Sequence, residues 1–409
     1  MTPIPAAMLG TGPRWLRHAL LLLPMAVTAV PAWQNLTAWL AYGRTQVFRT
    51  DFALYYVFSR IGLNYGWNRL YDLNAQKHVY DAVGPIWWFP LPYTPPMAWL
   101  TAPLTALPLG AAYWLWAVVI AAAWVATWWL VAPRDLPLRL LCLVAPLALY
   151  LVYLGLVLGQ VIILQMFSVA LSYWLMRKRH EVWAGIALVG IVIHPQNFFL
   201  VPFAVLVTGR WKTFAAFAAV SAAVGAAAVL SIGGDGTMAY LSRLHDAQVN
   251  PDQFLVPPWI SLLALLGHHP ARALAIQLLL TAIVLLAAWR SRGRGPELPL
   301  AMGLIGSTLV TSFIHLDDLM VLVLAAWLTL RVWPQLWVIA LVGLGYWVAM
   351  LQTRFGTIQF GPMMVAVELA WLLALAVLPV TSELVARVWT RDTESAAVAS
   401  VHAQKGVRG

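Results

Sequence analysis

The chain has 409 residues, of which 62% are hydrophobic and only 10% charged, with 23 Trp and a formal net charge of +10. Soluble domains are roughly half apolar and a quarter charged, so these figures exclude a cytosolic enzyme; they also exclude a disordered chain, because this much apolar surface must be buried. Apolar runs of about 15 to 24 residues point instead to an all-α polytopic membrane protein, with the basic balance explained by the positive-inside rule rather than by nucleic acid.

The first apolar stretch, from Ala19 to Leu40, follows Arg14 and Arg17. Its length and the lack of a clean cleavage motif predict an uncleaved signal-anchor helix. Residues 41–108 then form a long outer loop. Within it, Pro95 to Leu107 is apolar but short and punctuated by prolines, so it reads as a helix in the outer interface or a short re-entrant hairpin. Further apolar stretches lie near 109–132, 140–157, 161–177, 182–194, 196–208, 213–231, 272–289, 298–313, 316–331, 336–350 and 361–380. With the first they make about twelve candidate transmembrane helices, several shorter than the ~20 residues of a straight span. A second outer loop covers 232–271. Residues 1–380 read as one transmembrane domain, and 381–409 as a disordered cytoplasmic tail.

With the N-terminus in the cytoplasm, the inner loops hold Arg134/Arg139, Arg177/Lys178/Arg179, Arg210/Lys212, Arg290/Arg292/Arg294 and Arg331, and with the N-terminus and the C-terminal tail 17 of the 25 Lys and Arg fall inside. The opposite orientation would carry the Arg-Lys-Arg cluster across the membrane, against the positive-inside rule. The expected location is therefore the plasma (inner) membrane, with both termini cytoplasmic and the large loops outside.

Asp51 opens a helically spaced run, Phe52, Tyr55, Tyr56 and Ser59, in the first outer loop. A carboxylate there either caps the helix or serves as a general base at the membrane surface, and both can hold. The loop's aromatics, Tyr93 among them, form either an interfacial belt or a groove for a lipid chain or sugar ring. Gln160, after Gly159, places an amide at a helix junction, where it bonds a freed carbonyl or a ligand. His194-Pro195-Gln196-Asn197 forms a polar break between two short helices, and irregular backbone at membrane depth lines a cavity or is buried in protein. His315, Asp317 and Asp318 make a third polar turn; one His with two adjacent carboxylates does not specify a metal. Glu368 lies inside the last span, where a carboxylate is costly and suspect by default. His268-His269 read as surface anchors. The single Cys142 gives no disulfide framework and no cysteine-rich metal site. No Walker A, G-x-G-x-x-G, G-x-S-x-G or H-E-x-x-H sequence occurs.

Taken in order, Asp51-Phe52 with Tyr55-Tyr56, Leu70-Tyr71-Asp72, Tyr93-Thr94-Pro95-Pro96 with Ala102-Pro103-Leu104, Gly159-Gln160, His194-Pro195 and Ser312 to His315 resemble glycosyltransferase family 87. That family belongs to the glycosyltransferase C superfamily of membrane enzymes. The resemblance implies transfer of a sugar, typically mannose, from a polyprenyl-phosphate donor to a lipid or glycan acceptor on the extracytoplasmic face. Asp51 becomes the expected base of a single inverting displacement, and His315 the group near the donor phosphate. Arg354, Gln160, His194, Tyr55 and Tyr93 are further candidates for holding the phosphate or substrate. Family members often carry Lys before the proline where this chain has His194, so the resemblance does not supply a permanent cation there. No metal or cofactor is expected. The rival readings are a transporter or flippase of lipid-linked sugars, which would depend on Glu368 rather than Asp51, and a non-catalytic membrane scaffold.

Overall fold

The computed structural model describes residues 14–88, 90–249, 262, 270–311, 314–355 and 362–377, omitting a few side chains near the gaps and those of Leu336 and Trp337. Among these residues the fold is entirely helical. In chain order the helices are α1 (Arg14–Thr45), α2 (Asp51–Tyr65), α3 (Leu73–Val83), α4 (Pro95–Thr101), α5 (Leu109–Val131), α6 (Leu136–Leu147), α7 (Tyr150–Leu158) and α8 (Ile162–Arg177). They continue as α9 (Glu181–Leu188), α10 (Val201–Val207), α11 (Trp211–Val249), α12 (Pro270–Arg290), α13 (Glu297–Val310), α14 (Val321–Val332), α15 (Leu336–Phe355) and α16 (Pro362–Val377).

Four of the described helical stretches are long and apolar enough to cross a membrane: His18–Thr45, Leu109–Val131, Trp211–Asp246 and Ala271–Arg290. Taken together, α6 and α7 are also long and apolar enough for a crossing, but they bend by 67° where they meet, as in a broken span or a re-entrant loop. Pro146 lies at that bend, where a proline disrupts the helical ladder. The freed carbonyl of Leu147 accepts from Asn35 Nδ2 of α1 at 2.9 Å, an interhelical bond of a kind that contributes about 1 kcal/mol in lipid. Six further apolar helices have only 10–17 residues. The expected outer loops are largely helical too. Pro95–Thr101 is a short helix packed on α2, with Met97 and Ala98 buried. The stretch after residue 232 continues as helix to Val249 beyond a break at Gly233, whose φ is 69°.

At the centre stand α13, buried along its whole length, and α14, buried from Val321 to Leu330. Lipid gives no hydrophobic drive between helices, so close approach over small residues does the packing. A Cβ on Gly303 would meet Val201 Cα of α10 at 2.9 Å, and one on Gly306 would meet Val284 Cγ2 of α12 at 2.6 Å.

The bundle has two chemically distinct ends. At one, Arg331 donates to the carbonyls of Val131 and Ala132 at 3.1 and 2.7 Å, closing the end of α5. Beside it Tyr173 donates to Glu297 Oε1 at 3.1 Å, and Arg177 lies 3.5 Å from the same oxygen. Arg210 pairs with Glu181 at 2.5 Å. The opposite ends of α8, α13 and α14 carry Gln160, Thr311 and Asp318, which join Asp51 and His194.

Candidate functional site

Thr50, and not Asp51, is the N-cap of α2: its hydroxyl accepts from the Ala53 amide at 3.2 Å. Asp51 sits in the first helical turn, which releases its carboxylate for other work. Phe52 beneath it is fully buried, stacked on Trp116 at 5.6 Å between ring centroids. Gln160 comes to Asp51 because α7 ends on Gly159, a left-handed cap at φ 71°. A Cβ at Gly159 would stand 3.0 Å from Phe52 Cβ, so α7 meets α2 closely there. The Gly159 carbonyl is fixed by the Trp116 indole at 2.7 Å.

The Gln160 side-chain amide bonds two side chains rather than a freed backbone carbonyl. Its Nε2 donates to Asp51 Oδ2 in a short hydrogen bond, and its Oε1 accepts from the Tyr55 hydroxyl at 3.0 Å. Tyr55 packs edge-on against Tyr93, with ring centroids 5.0 Å apart, and Phe58 and Tyr71 extend the same aromatic wall. Tyr71 donates to the Tyr93 carbonyl at 2.6 Å. The adjacent Asp72 is a helix cap: it accepts from the Asn74 and Ala75 amides and pairs with Arg69 at 3.0 Å. Those amide bonds hold its carboxyl below the usual range.

The other polar breaks converge on this wall. Thr94 donates to the Ile193 carbonyl at 2.7 Å, tying the Tyr93-Thr94-Pro95-Pro96 segment to the break at His194. Gln165 of α8 donates to the carbonyls of Ile191 and His194 at 2.8 and 2.9 Å, satisfying backbone left open where two 3-10 turns replace the helix. Asn197 donates to Asp318 Oδ1 at 2.6 Å, and the His315 amide donates to Asp318 Oδ2 at 2.8 Å. Asp317 and Asp318 are both buried, and both lie within electrostatic reach of Asp51 and Tyr55.

Asp51 is half-buried but densely enclosed by protein. Desolvation pushes its carboxyl up to about 7; Asp318 adds to the rise, and the Gln160 hydrogen bond opposes it. Neither flanking arginine offsets the burial; Arg60 instead lies over the Tyr56 ring at 5.9 Å. The result is a carboxylate whose proton affinity matches neutral pH, as general-base work requires.

Glu368 is placed elsewhere. Buried at 2% exposure, it accepts from Thr308 of α13 at 2.7 Å and lines an otherwise apolar cavity of about 140 Å³ between α7, α14, α15 and α16. The structure therefore links Asp51, Tyr55, Tyr93, Gln160, His194 and His315 through hydrogen bonds, ring contacts and short-range electrostatics into one polar cluster, termed the recess, and leaves Glu368 out. The Arg354 side chain lies outside the described residues, as do Ser312, His268 and His269. Asn197 and Asp318 are the members of the recess to which the sequence assigned no role. The signal for Asn197 was polarity beside Pro195, and for Asp318 a carboxylate in an apolar run. Among the described residues, no three His, Cys, Asp or Glu side chains are arranged to hold a metal ion.

Residues 91–316, more than half of the chain, match the model of glycosyltransferase family 87. No curated protein and no solved structure matches the chain significantly.

Proposed function

The chain belongs to glycosyltransferase family 87, and on that premise we propose that it moves a sugar, mannose on the family resemblance, from a polyprenyl-phosphate donor to a lipid or glycan hydroxyl. On this reading it is a glycosyltransferase C-type enzyme of the plasma membrane that acts at the extracytoplasmic face. The support for sidedness is that the recess lies at the end of α8, α13 and α14 opposite Arg177, Glu297 and Arg331, and the positive-inside rule assigns the basic end to the cytoplasm.

The observation that carries the reading is the enclosed Asp51 carboxylate, raised to about 7 and held by Gln160. Asp51 takes the proton from the acceptor hydroxyl as that oxygen bonds to the anomeric carbon. The bond from that carbon to the phosphate oxygen breaks on the opposite face, and one displacement inverts the centre. Charge develops on the sugar as an oxocarbenium-like ion and on the departing lipid phosphate. His315, with His194 close by and Arg354 in the later outer segment, meets that phosphate and stabilises it as charge accumulates. Tyr55 and Tyr93 supply an aromatic wall for the sugar ring. Metals and cofactors have no part in this scheme.

The test uses purified protein in lipid with a panel of radiolabelled polyprenyl-phosphate sugars and a membrane-lipid extract, comparing wild type with Asp51→Asn at matched thermal stability. Transfer of label by wild type and its loss in Asp51→Asn are expected. Equal transfer by both would remove Asp51 from the mechanism. Flipping of the donor in sealed vesicles without transfer would favour a transporter.

A further inference from the structure

We propose that Asp318 is a positioning residue for the donor phosphate: its carboxylate clamps the 194–197 break to the 315–318 turn and so holds His315 at the recess. The proposal rests on the glycosyl-transfer reading above.

Both oxygens of this carboxylate are committed. Oδ1 accepts from Asn197 Nδ2 at 2.6 Å, on a segment more than a hundred residues earlier in the chain. Oδ2 accepts from the His315 amide at 2.8 Å and stands 3.8 Å from the His315 Nδ1. The Asp318 amide in turn donates to the His315 carbonyl at 3.2 Å, closing the turn upon itself. Asp318 is 3% exposed and Asn197 fully buried, whereas the His315 side chain keeps 31% of its surface. The clamp is thus internal, and the residue it holds keeps a partly exposed side chain.

Folding alone does not account for a charge here. A buried ionic group is costly, and an apolar pair of similar volume would close the same contact more cheaply. The carboxylate also adds negative charge that Asp51 feels. The Asn197 amide turns its donor to Asp318 and leaves its own buried Oδ1 without a partner, a further cost of the arrangement. The 194–197 break is also held independently on the end of α13: Thr311 donates to the Gln196 carbonyl at 3.0 Å, and just beyond the break the Leu200 amide donates to Ser307 Oγ at 2.9 Å. Loss of the Asp318 carboxylate therefore leaves the break docked on α13 but removes the side-chain bonds from Asp318 to Asn197 and to the His315 amide.

The test uses the full chain in lipid nanodiscs, with wild type, Asp318→Asn, Asn197→Ala, His315→Ala and Asp318→Asn combined with His315→Ala. Donor KM, acceptor KM and the thermal shift induced by polyprenyl monophosphate, the leaving product, are read for each. Asp318→Asn is expected to raise the donor KM and weaken monophosphate binding about tenfold, the loss of one charge-assisted hydrogen bond, with acceptor KM within about twofold of wild type. Because Asp318 acts through His315, the double variant should bind monophosphate no more weakly than His315→Ala. An unchanged donor KM, equal rises in donor and acceptor KM, or additive effects in the double variant would overturn the clamp while sugar transfer by wild type stood. If Asp318→Asn fails to fold, Asn197→Ala carries the same expectation and the same overturning results. Absence of both transfer and monophosphate binding in wild type would overturn the transferase reading, and the clamp with it.

Discussion

Asp51 shows how a residue's role is set by what occupies the neighbouring position. Thr50 takes the capping task, so the carboxylate one residue later is free to meet Gln160. As the proposed base, its loss in Asp51→Asn should lower kcat about 10²–10⁴-fold, measured as label transferred per folded protein. Its raised carboxyl has two further consequences. The acid limb of kcat/KM should fall near pH 7, because the base must be ionised, rather than near 4 as for an exposed aspartate. For stability the sign is the opposite of an ion-paired aspartate. The unfolded chain releases the Asp51 proton from about 3.8 upward while the folded chain holds it to about 7, so this group's stabilising contribution is lost as pH rises across that window. Thermal unfolding from pH 4 to 8 should show that slope in wild type and less of it in Asp51→Asn; identical slopes would mean Asp51 is solvated.

At the scale of elements, two glycine contacts decide where the recess sits. Gly159 ends α7 in the left-handed region against Phe52. Gly159→Ala should cost about 1–2 kcal/mol from backbone conformation alone and shift Gln160 away from Asp51, so activity should drop further than stability does. The comparison is of melting temperature and transfer rate on the same preparation, and parallel small losses would argue that Gln160 is not held by this turn. Gly303 lets α13 contact α10 with a Cβ-sized gap missing. Gly303→Leu should destabilise by about 1–3 kcal/mol or more, because the near neighbour is backbone and cannot yield. That loss would be read in melting temperature and in the fraction of protein that survives detergent extraction.

At the scale of the whole molecule, the charge asymmetry predicts sidedness. The helices that end in Gln160, Thr311 and Asp318 at one end reach Arg177, Glu297 and Arg331 at the other. A 16-residue helix such as α8 is about 24 Å long, short of the ~30 Å hydrocarbon core, so polar turns dipping inward at its ends fit the geometry. The single Cys142 is buried, and replacing it by Ala gives a background for labelling. In intact cells Lys77→Cys should react with a membrane-impermeant maleimide, and Arg179→Cys should react only after permeabilisation. The reverse pattern would place the recess in the cytoplasm and sink the polyprenyl-phosphate reading as framed.

The sequence by itself determined the class of molecule, because composition and apolar run length are properties of the chain that lipid reads directly. It also marked the polar breaks at Gln160, His194 and His315, since polar groups at membrane depth need a reason to be there. The family was legible in short motifs whose order, and not whose individual strength, made the match. Tertiary structure alone decided which breaks meet. Residues 51, 160, 197 and 318 are far apart in the chain, and only helix ends brought to a common level can place them in contact. It also separated Glu368 from the recess by giving it Thr308 as a partner, a pairing between distant helices that no local pattern encodes. Span length was the least legible feature. Prolines, 3-10 turns and the 67° bend break apolar runs without changing their hydropathy, so helices of 10–17 residues look continuous until their backbone is traced. The proton affinity of Asp51 belongs to the tertiary level as well. It is a balance of burial, the Asp318 charge and the Gln160 hydrogen bond, none of which is its neighbour in sequence.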